Sequence, residues 1–218
     1  MDKDYIGMEM IKMEKTIKRF CKVILNAVIL LSFIACGNNV SAVNSQNSGN
    51  NESTKKGNGK VLVVYFSQTG TTEGVAKIIG ETTGADLFKL EPKNPYSEAD
   101  LNWSDKSSRV NREHDNPNNR NIELKNVNVP NFASYDTVFI GYPIWWREAS
   151  WVLDEFVKKN DFTGKTVIPF GTSMSTGDGN SGNRLKNLTN TGNWGAGQRF
   201  SSSYSEEEVV NWVKGLKY

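Results

Sequence analysis

The chain has 218 residues, of which 37% are hydrophobic and 11% aromatic, enough to fill one core and too many for a wholly disordered protein. Its 26 basic and 24 acidic residues leave a net charge of +2, which gives no electrostatic reason to expect nucleic acid as a partner. Both cysteines, Cys21 and Cys36, lie near the N-terminus, and His114 is the one histidine. This distribution excludes a disulfide framework, a cysteine-rich zinc site and a cysteine nucleophile from the rest of the chain.

The N-terminal segment has the order of an export signal. Five basic residues between positions 12 and 22 precede a mostly apolar run of 13 residues at 23–35. A membrane-spanning helix needs about 20 apolar residues, so export is favoured over a permanent spanning anchor. The end of the run, Phe33-Ile34-Ala35-Cys36, resembles the lipobox of bacterial lipoproteins, in which the cysteine is lipidated. We expect residues 1–36 to be the signal and Cys36 to tether the protein to the cell membrane, outside the cytoplasm. The alternative is an ordinary cleaved signal.

Residues 37–59 predict a flexible tether. They are almost entirely Asn, Ser, Gly, Thr and Lys, and such a composition cannot bury enough apolar surface to become ordered. The first 58 residues hold 8 basic and 5 acidic side chains, so 18 basic and 19 acidic ones remain for the folded domain at 60–218. The predicted domain therefore carries a charge of about −1.

The folded domain begins with a strand, a polar loop and a helix. Residues 61–66 form a continuous apolar and β-branched run, which is typical of a parallel strand covered on both faces. A helix at 71–83 follows the polar loop and ends before Gly84.

Strands and helices continue to alternate through the rest of the chain. The predicted elements are, in order, a strand at 85–90, a polar helix at 97–113, a surface excursion at 116–128, a strand at 137–142 that ends at Pro143, a helix at 150–159, a strand at 166–170, a short helix at 184–188, a strand at 198–201 and a helix at 206–216. Five strands alternating with helices predict a three-layer α/β fold around a parallel sheet. Ligands of such folds bind beyond the carboxyl ends of the strands.

The loop after the first strand has the chemistry of a phosphate site. It lies at a helix N-terminus, where unpaired N–H groups and the helix dipole attract anions, and most of its side chains can form hydrogen bonds. It contains no Lys or Arg, which suits a bound cofactor better than phosphoryl transfer. The alternative is a plain helix cap. The candidate residues are Ser67, Gln68, Thr69, Gly70, Thr71 and Thr72.

Two further loops leave the same predicted sheet edge. After the third strand, Pro143 precedes Trp145 and Trp146; we expect one indole to pack in the core and the other to lie beside a planar ligand. After the fourth strand, residues 171–179 offer small side chains and flexible backbone. The alternatives are that both indoles cover hydrophobic surface and that 171–179 is a mobile surface loop.

Together, residues 61–72, 141–146 and 166–181 resemble the flavodoxin family, in particular its bacterial branch with an S-x-T-G-x-T loop and a G-Y-P-I-W-W segment. The resemblance covers about 60–218. It implies a five-stranded parallel sheet of order 2-1-3-4-5 and a non-covalent FMN whose phosphate lies on residues 67–72. It also implies that one of the two tryptophans lies against the flavin face. The implied contacts to the isoalloxazine come from Pro143, Ile144, Trp145, Trp146, Thr172, Ser173 and Gly177.

Two features depart from that family. Arg147 follows the tryptophan pair where relatives often have glycine, which restricts the backbone beside the flavin N5. Electron-carrying flavodoxins also tend to be strongly acidic, and this negative charge lowers the reduction potential of the flavin. The predicted domain of this chain has a net charge of only about −1. We therefore expect a less negative potential than such carriers have.

The leading hypothesis is a lipid-tethered FMN protein that passes electrons to a redox partner protein or a small-molecule acceptor. It requires no catalytic side chain and no metal, because the flavin performs the chemistry. The first alternative is an enzyme that takes hydride from NAD(P)H and reduces a quinone, a nitroaromatic compound or a ferric chelate. The second is a phosphate-anchored, ligand-binding lipoprotein without a redox role. His114 lies in a polar stretch and is expected to be a solvated surface residue.

Overall fold

The computed structural model describes residues 59–218, so the predictions for the export signal, Cys36 and most of the tether lie outside the described residues. The strands of the described part are β1 (Lys60–Tyr65), β2 (Asp86–Lys89), β3 (Tyr135–Trp145), β4 (Glu148–Ala149), β5 (Thr166–Ser173), β6 (Asn193–Trp194) and β7 (Gln198–Ser201). The helices are α1 (Thr71–Thr83), α2 (Arg109–Asp115), α3 (Asp154–Lys159), α4 (Ser181–Thr189) and α5 (Glu206–Gly215), with 3-10 turns at Pro117–Asn119, Phe132–Ser134 and Trp151–Leu153. Within this part, no helix is long and apolar enough to span a membrane.

The central sheet is parallel and has the predicted strand order. It runs β2-β1-β3-β5, and both β6 and β7 pair with β5 at the fifth position. The carbonyl of Val167 accepts a hydrogen bond from the N–H of Gly195, which directly follows β6. Because backbone groups of a strand point to the same side at every second residue, the backbone of Pro169 also faces the fifth strand. Proline has no N–H to donate there, and the fifth strand is interrupted between Trp194 and Gln198.

Helices cover both faces of the sheet, as the run of apolar residues in β1 predicts. Leu62 and Val64 belong to one buried cluster, which also contains residues of α3 and α4. Val63 and Tyr65 belong to a second cluster with residues of α1 and α5. Burying such a side chain contributes about 1.5–3 kcal/mol, so the two clusters hold three layers together.

The prediction of one helix at 97–113 is wrong. Only Arg109–Asp115 is helical, because side chains before it bond to the local backbone: Asp100 accepts from the N–H of Ser97, and Asp105 accepts from the N–H of Ser107. Such bonds compete with the helix ladder. The segment at 116–128 is likewise more than a surface excursion, since two of its apolar residues lie in the first core cluster, Ile122 and Leu124.

The prediction that the third strand ends at Pro143 is also wrong, since β3 continues to Trp145. Gly141 accepts a hydrogen bond from Phe66, so Pro143, two residues on, faces the same side. β1 ends at Tyr65, before it reaches Pro143, so no strand lies beside the proline on that side. The missing N–H of Pro143 therefore costs the sheet no hydrogen bond. The extension carries Trp145 beyond the sheet edge.

Candidate functional site

The loop between β1 and α1 is open towards solvent. Gly70 is the helix N-cap, with φ +92°, and apart from its two chain neighbours no described residue has a heavy atom within 4 Å of the position that a Cβ would take. Its N–H donates to Ser67 Oγ at 3.2 Å. Ser67 and Thr72 are buried, whereas Gln68 and Thr69 are exposed.

The first N–H groups of α1 are available to a ligand. Those of Thr71, Thr72 and Glu73 have no hydrogen-bond acceptor among residues 59–218. They point out of the helix at the positive end of its dipole. Together with the nearby hydroxyl groups, they form a site that can hold a phosphate through neutral donors.

The first and third loops are joined by a buried pair of hydroxyl groups. Thr72 Oγ1 lies 2.8 Å from Thr172 Oγ1, a hydrogen bond that crosses from the start of α1 to the end of β5. Both residues are almost completely buried. One hydroxyl donates to the other, and this bond sets the spacing of the two loops.

The second loop is a two-residue turn between β3 and β4. Trp145 pairs with Glu148, and the two residues between them have positive φ values, +46° for Trp146 and +64° for Arg147. This is the backbone of a type I′ hairpin turn, which normally takes Asn and Gly. The left-handed conformation costs a side-chain-bearing residue roughly 1–2 kcal/mol. The strained turn directs Trp146 away from the sheet.

The two tryptophans differ in their surroundings. Trp145 is half-buried and packs edge-on against aromatic rings that include Trp151, at 4.9 Å between centroids. Trp146 is 39% exposed and stacks on His114, with centroids 4.3 Å apart and planes at 20°. His114 lies at the surface, as predicted, with a side chain that is 34% exposed, and it also packs on the indole.

The third loop lies against the second. Gly179 has φ +62°, and a Cβ there would be 2.1 Å from the carbonyl oxygen of Arg147. Tyr142 donates its hydroxyl to Asp178 Oδ1 at 3.1 Å. Burial is the largest influence on the Asp178 carboxyl and raises its pKa above the ordinary value. The three predicted loops are thus brought into direct contact at the carboxyl edge of the sheet.

Sequence reasoning missed the buried Glu113, which is 4% exposed. Its Oε2 accepts from Tyr96 Oη and from Trp151 Nε1, each at 2.7 Å, and its Oε1 accepts from Arg109 Nε at 2.7 Å. Burial is the main cause that raises the pKa of Tyr96 above its usual range. The network fixes α2 against the aromatic wall that includes Trp145. The one local signal for it is the i,i+4 spacing of Arg109 and Glu113.

Other possible sites do not coincide with these loops. Among residues 59–218, no group of three or more His, Cys, Asp or Glu side chains is placed to hold a metal ion. A cavity of about 670 Å³ lies between residues 117–123 and α3, and no predicted site residue lines it. It is bordered by both cations and anions, including Lys158 and Glu155. The arrangement at the sheet edge therefore fits a phosphate-bearing, planar cofactor best.

Comparison with known proteins supports the same conclusion. The family model described as flavodoxin matches residues 60–216. A protein from Bacteroides uniformis designated a flavoprotein is 39% identical, with a TM-score of 0.65, over 72% of this chain and 98% of that one. A similarly designated protein from Bacteroides eggerthii is 39% identical, with a TM-score of 0.64, over 71% and 96%.

A more distant structure shares the fold. A flavoprotein from Lactobacillus acidophilus, solved in complex with FMN, is 21% identical, with a TM-score of 0.52, over 71% of this chain and 98% of that one. A search of curated proteins gave no match. Because the family model spans residues 60–216, and the parallel sheet has the strand order expected of that family, this chain belongs to the flavodoxin family.

Proposed function

We propose that this protein binds FMN non-covalently at the carboxyl edge of its sheet and carries electrons. The observation that supports this most strongly is the convergence of the three loops. The start of α1 is joined to the end of β5 by Thr72 and Thr172, and the β3–β4 turn packs on Gly179. A relative solved with FMN lends further support.

The residues present fit the cofactor. Its phosphate would lie at the open N-terminus of α1, held by the N–H groups of Thr71 and Thr72 and by nearby hydroxyls such as that of Thr69. Its ring would lie beside the Trp146 turn and the loop that follows β5, which pack on each other. Bound FMN supplies the redox chemistry, since it accepts and releases electrons one or two at a time.

The protein's contribution is to bind, orient and tune the flavin. No side chain need act as an acid or a base, and the electron acceptor can be a protein or a small molecule. The domain charge of about −1 gives a weak field against a negatively charged reduced flavin, so we expect a less negative potential than that of strongly acidic carriers.

The phosphate site can be tested by comparing FMN with riboflavin, which lacks the phosphate. Thr69→Ala removes one of these hydroxyls and should weaken FMN binding about tenfold, since a hydrogen bond to a charged group contributes about 1.5–3 kcal/mol, and should leave riboflavin affinity unchanged. The matched control is Thr82→Ala near the other end of α1, where the hydroxyl bonds the carbonyl of Ile78. Equal affinities of the protein for FMN and riboflavin would contradict this placement.

The same preparation separates a carrier from a reductase. A carrier leaves NAD(P)H essentially unoxidised when no partner is present, whereas the alternative enzyme oxidises it steadily with a quinone or ferric chelate as acceptor. Steady turnover by the pure protein would replace the carrier proposal with the reductase.

We further propose that Cys36 carries a lipid that tethers the domain to the outer face of the cell membrane. The basic, apolar and small residues that precede Cys36 support this placement. Metabolic labelling with a fatty acid should mark the wild-type chain and not Cys36→Ser, whereas Cys21→Ser should still be labelled. Equal labelling of the wild type and Cys36→Ser would refute the tether.

A further inference from the structure

Arg199 holds the backbone of the third loop in place. It lies on β7, opposite Gly171 of β5. Its guanidinium donates from Nε to Ser173 Oγ at 3.0 Å, and from Nη2 to the carbonyl oxygens of Ser173 at 2.9 Å and Met174 at 3.2 Å. One rigid group thus forms three hydrogen bonds, two of them to the carbonyl oxygens of successive peptide units and one to a side-chain hydroxyl.

Together with the N–H of Ser202, which also donates to the Ser173 carbonyl at 3.2 Å, these bonds determine where the opposite sides of the two peptides point. In a trans peptide the C=O and N–H groups point in opposite directions, and the described chain has no cis peptide. The carbonyls of Ser173 and Met174 are turned towards Arg199, so the N–H groups of Met174 and Ser175 are turned away from it. Neither N–H has a hydrogen-bond acceptor among residues 59–218. The loop therefore presents two adjacent free donors.

The charge of Arg199 is not neutralised within the part of the chain that the structure describes. Arg109, Arg120 and Arg184 each form an ion pair there, with Glu113, Glu148 and Asp154 respectively. Arg199 binds only neutral oxygens, and it is half-buried. Its field is therefore screened less than that of an exposed cation such as Lys158.

We propose that Arg199 is a positioning residue of the FMN site that favours the reduced, anionic form of the cofactor. The inference rests on the proposed function. Uptake of two electrons and one proton converts FMN into a reduced form whose ring carries one negative charge. That charge is stabilised by the free N–H groups of Met174 and Ser175 and by the guanidinium behind them, whereas the neutral oxidised ring gains much less.

The test compares the affinity of the full chain for oxidised and reduced FMN. Titrations are made without oxygen, with dithionite as the reductant, which is oxidised to sulfite. Arg199→Gln should weaken the binding of reduced FMN about tenfold more than that of oxidised FMN. This differential loss equals about 1.4 kcal/mol, or a two-electron potential lower by about 30 mV. Arg199→Lys keeps the charge and should retain most of the preference, and the remote control Lys158→Gln should leave it unchanged.

The possible results separate this inference from the proposed function. If Arg199→Gln, Arg199→Lys and the wild type show the same ratio of the two affinities, Arg199 does not tune the flavin, although FMN binding stands. If the wild type binds no FMN, the proposed function fails and this inference fails with it.

A second measurement needs no variant, so it remains decisive if Arg199→Gln does not fold. The amide NMR signals of Met174 and Ser175 in the wild type should shift on addition of FMN and shift again on its reduction. Signals that do not respond to reduction would refute the proposal.

Discussion

Replacement of Glu113 tests whether the buried network fixes the aromatic wall of the site. In Glu113→Ala the two buried donors, Tyr96 Oη and Trp151 Nε1, lose their shared acceptor, and Arg109 loses its ion pair. A buried donor without a partner costs about 1–3 kcal/mol, and breaking a buried ion pair costs about 3–5 kcal/mol. These costs overlap, so we expect a loss of about 4 kcal/mol in the free energy of unfolding.

Glu113→Gln separates the charge from the hydrogen bonds. Its amide oxygen can still accept from both Tyr96 and Trp151, because they donate to the same oxygen, while its NH₂ group faces Arg109. We expect a loss of about 2 kcal/mol, the value of one hydrogen bond between charged groups.

The assay is urea unfolding monitored by tryptophan fluorescence. Thermal melting provides a second measurement. For a chain of this size, 1 kcal/mol corresponds to about 2–4 °C in Tm, so Glu113→Gln should melt roughly 4–8 °C lower. Glu123→Gln is the control, since its exposed pair with Lys93 should contribute less than about 1 kcal/mol. The reasoning is refuted if both Glu113 variants unfold within about 0.5 kcal/mol of the wild type.

Three further predictions concern the loops. Arg147→Gly should raise the free energy of unfolding by about 1 kcal/mol by relieving the positive φ, whereas Arg147→Ala, which keeps a Cβ, should not; equal gains would contradict the strain argument. Burial raises the pKa of Asp178, so its protonated form favours folding and its contribution is lost as pH rises through the folded pKa. Asp178→Asn, whose amide oxygen can still accept from Tyr142, should therefore be the more stable protein at neutral pH in urea unfolding, with the difference shrinking below about pH 4; a less stable variant at neutral pH would refute this. Thr172→Val leaves the Thr72 hydroxyl buried without a partner and should cost about 1–3 kcal/mol, and the double valine variant should cost less than the sum of the two single changes; strict additivity in the unfolding free energies would show that the two hydroxyls do not interact.

The elements that sequence reasoning predicted well are those with local signals. The bounds of α1 follow from its apolar spacing and from Gly70 and Gly84, both of which have positive φ. The strand order followed from the resemblance to flavodoxins rather than from the apolar runs themselves. The contrast between a packed and an outward tryptophan followed from their adjacency, because two neighbouring indoles rarely point the same way.

The features that sequence reasoning missed depend on contacts between distant segments. α2 is short because Asp and Ser side chains before it bind the local backbone, a competition that helical periodicity does not reveal. In the sequence, Glu113 is one polar residue among many. Only the folded structure brings Tyr96 and Trp151 into hydrogen-bonding contact with it. His114 lies in a polar stretch, and only the fold brings it onto Trp146.

The most direct test of the account is the visible absorption spectrum of the protein after incubation with FMN and desalting. FMN held at the three loops should remain with the protein in an equimolar amount and show the absorption bands of bound oxidised flavin. A colourless protein after desalting, with no change in tryptophan fluorescence during FMN titration, would contradict the assignment of these loops to a flavin site.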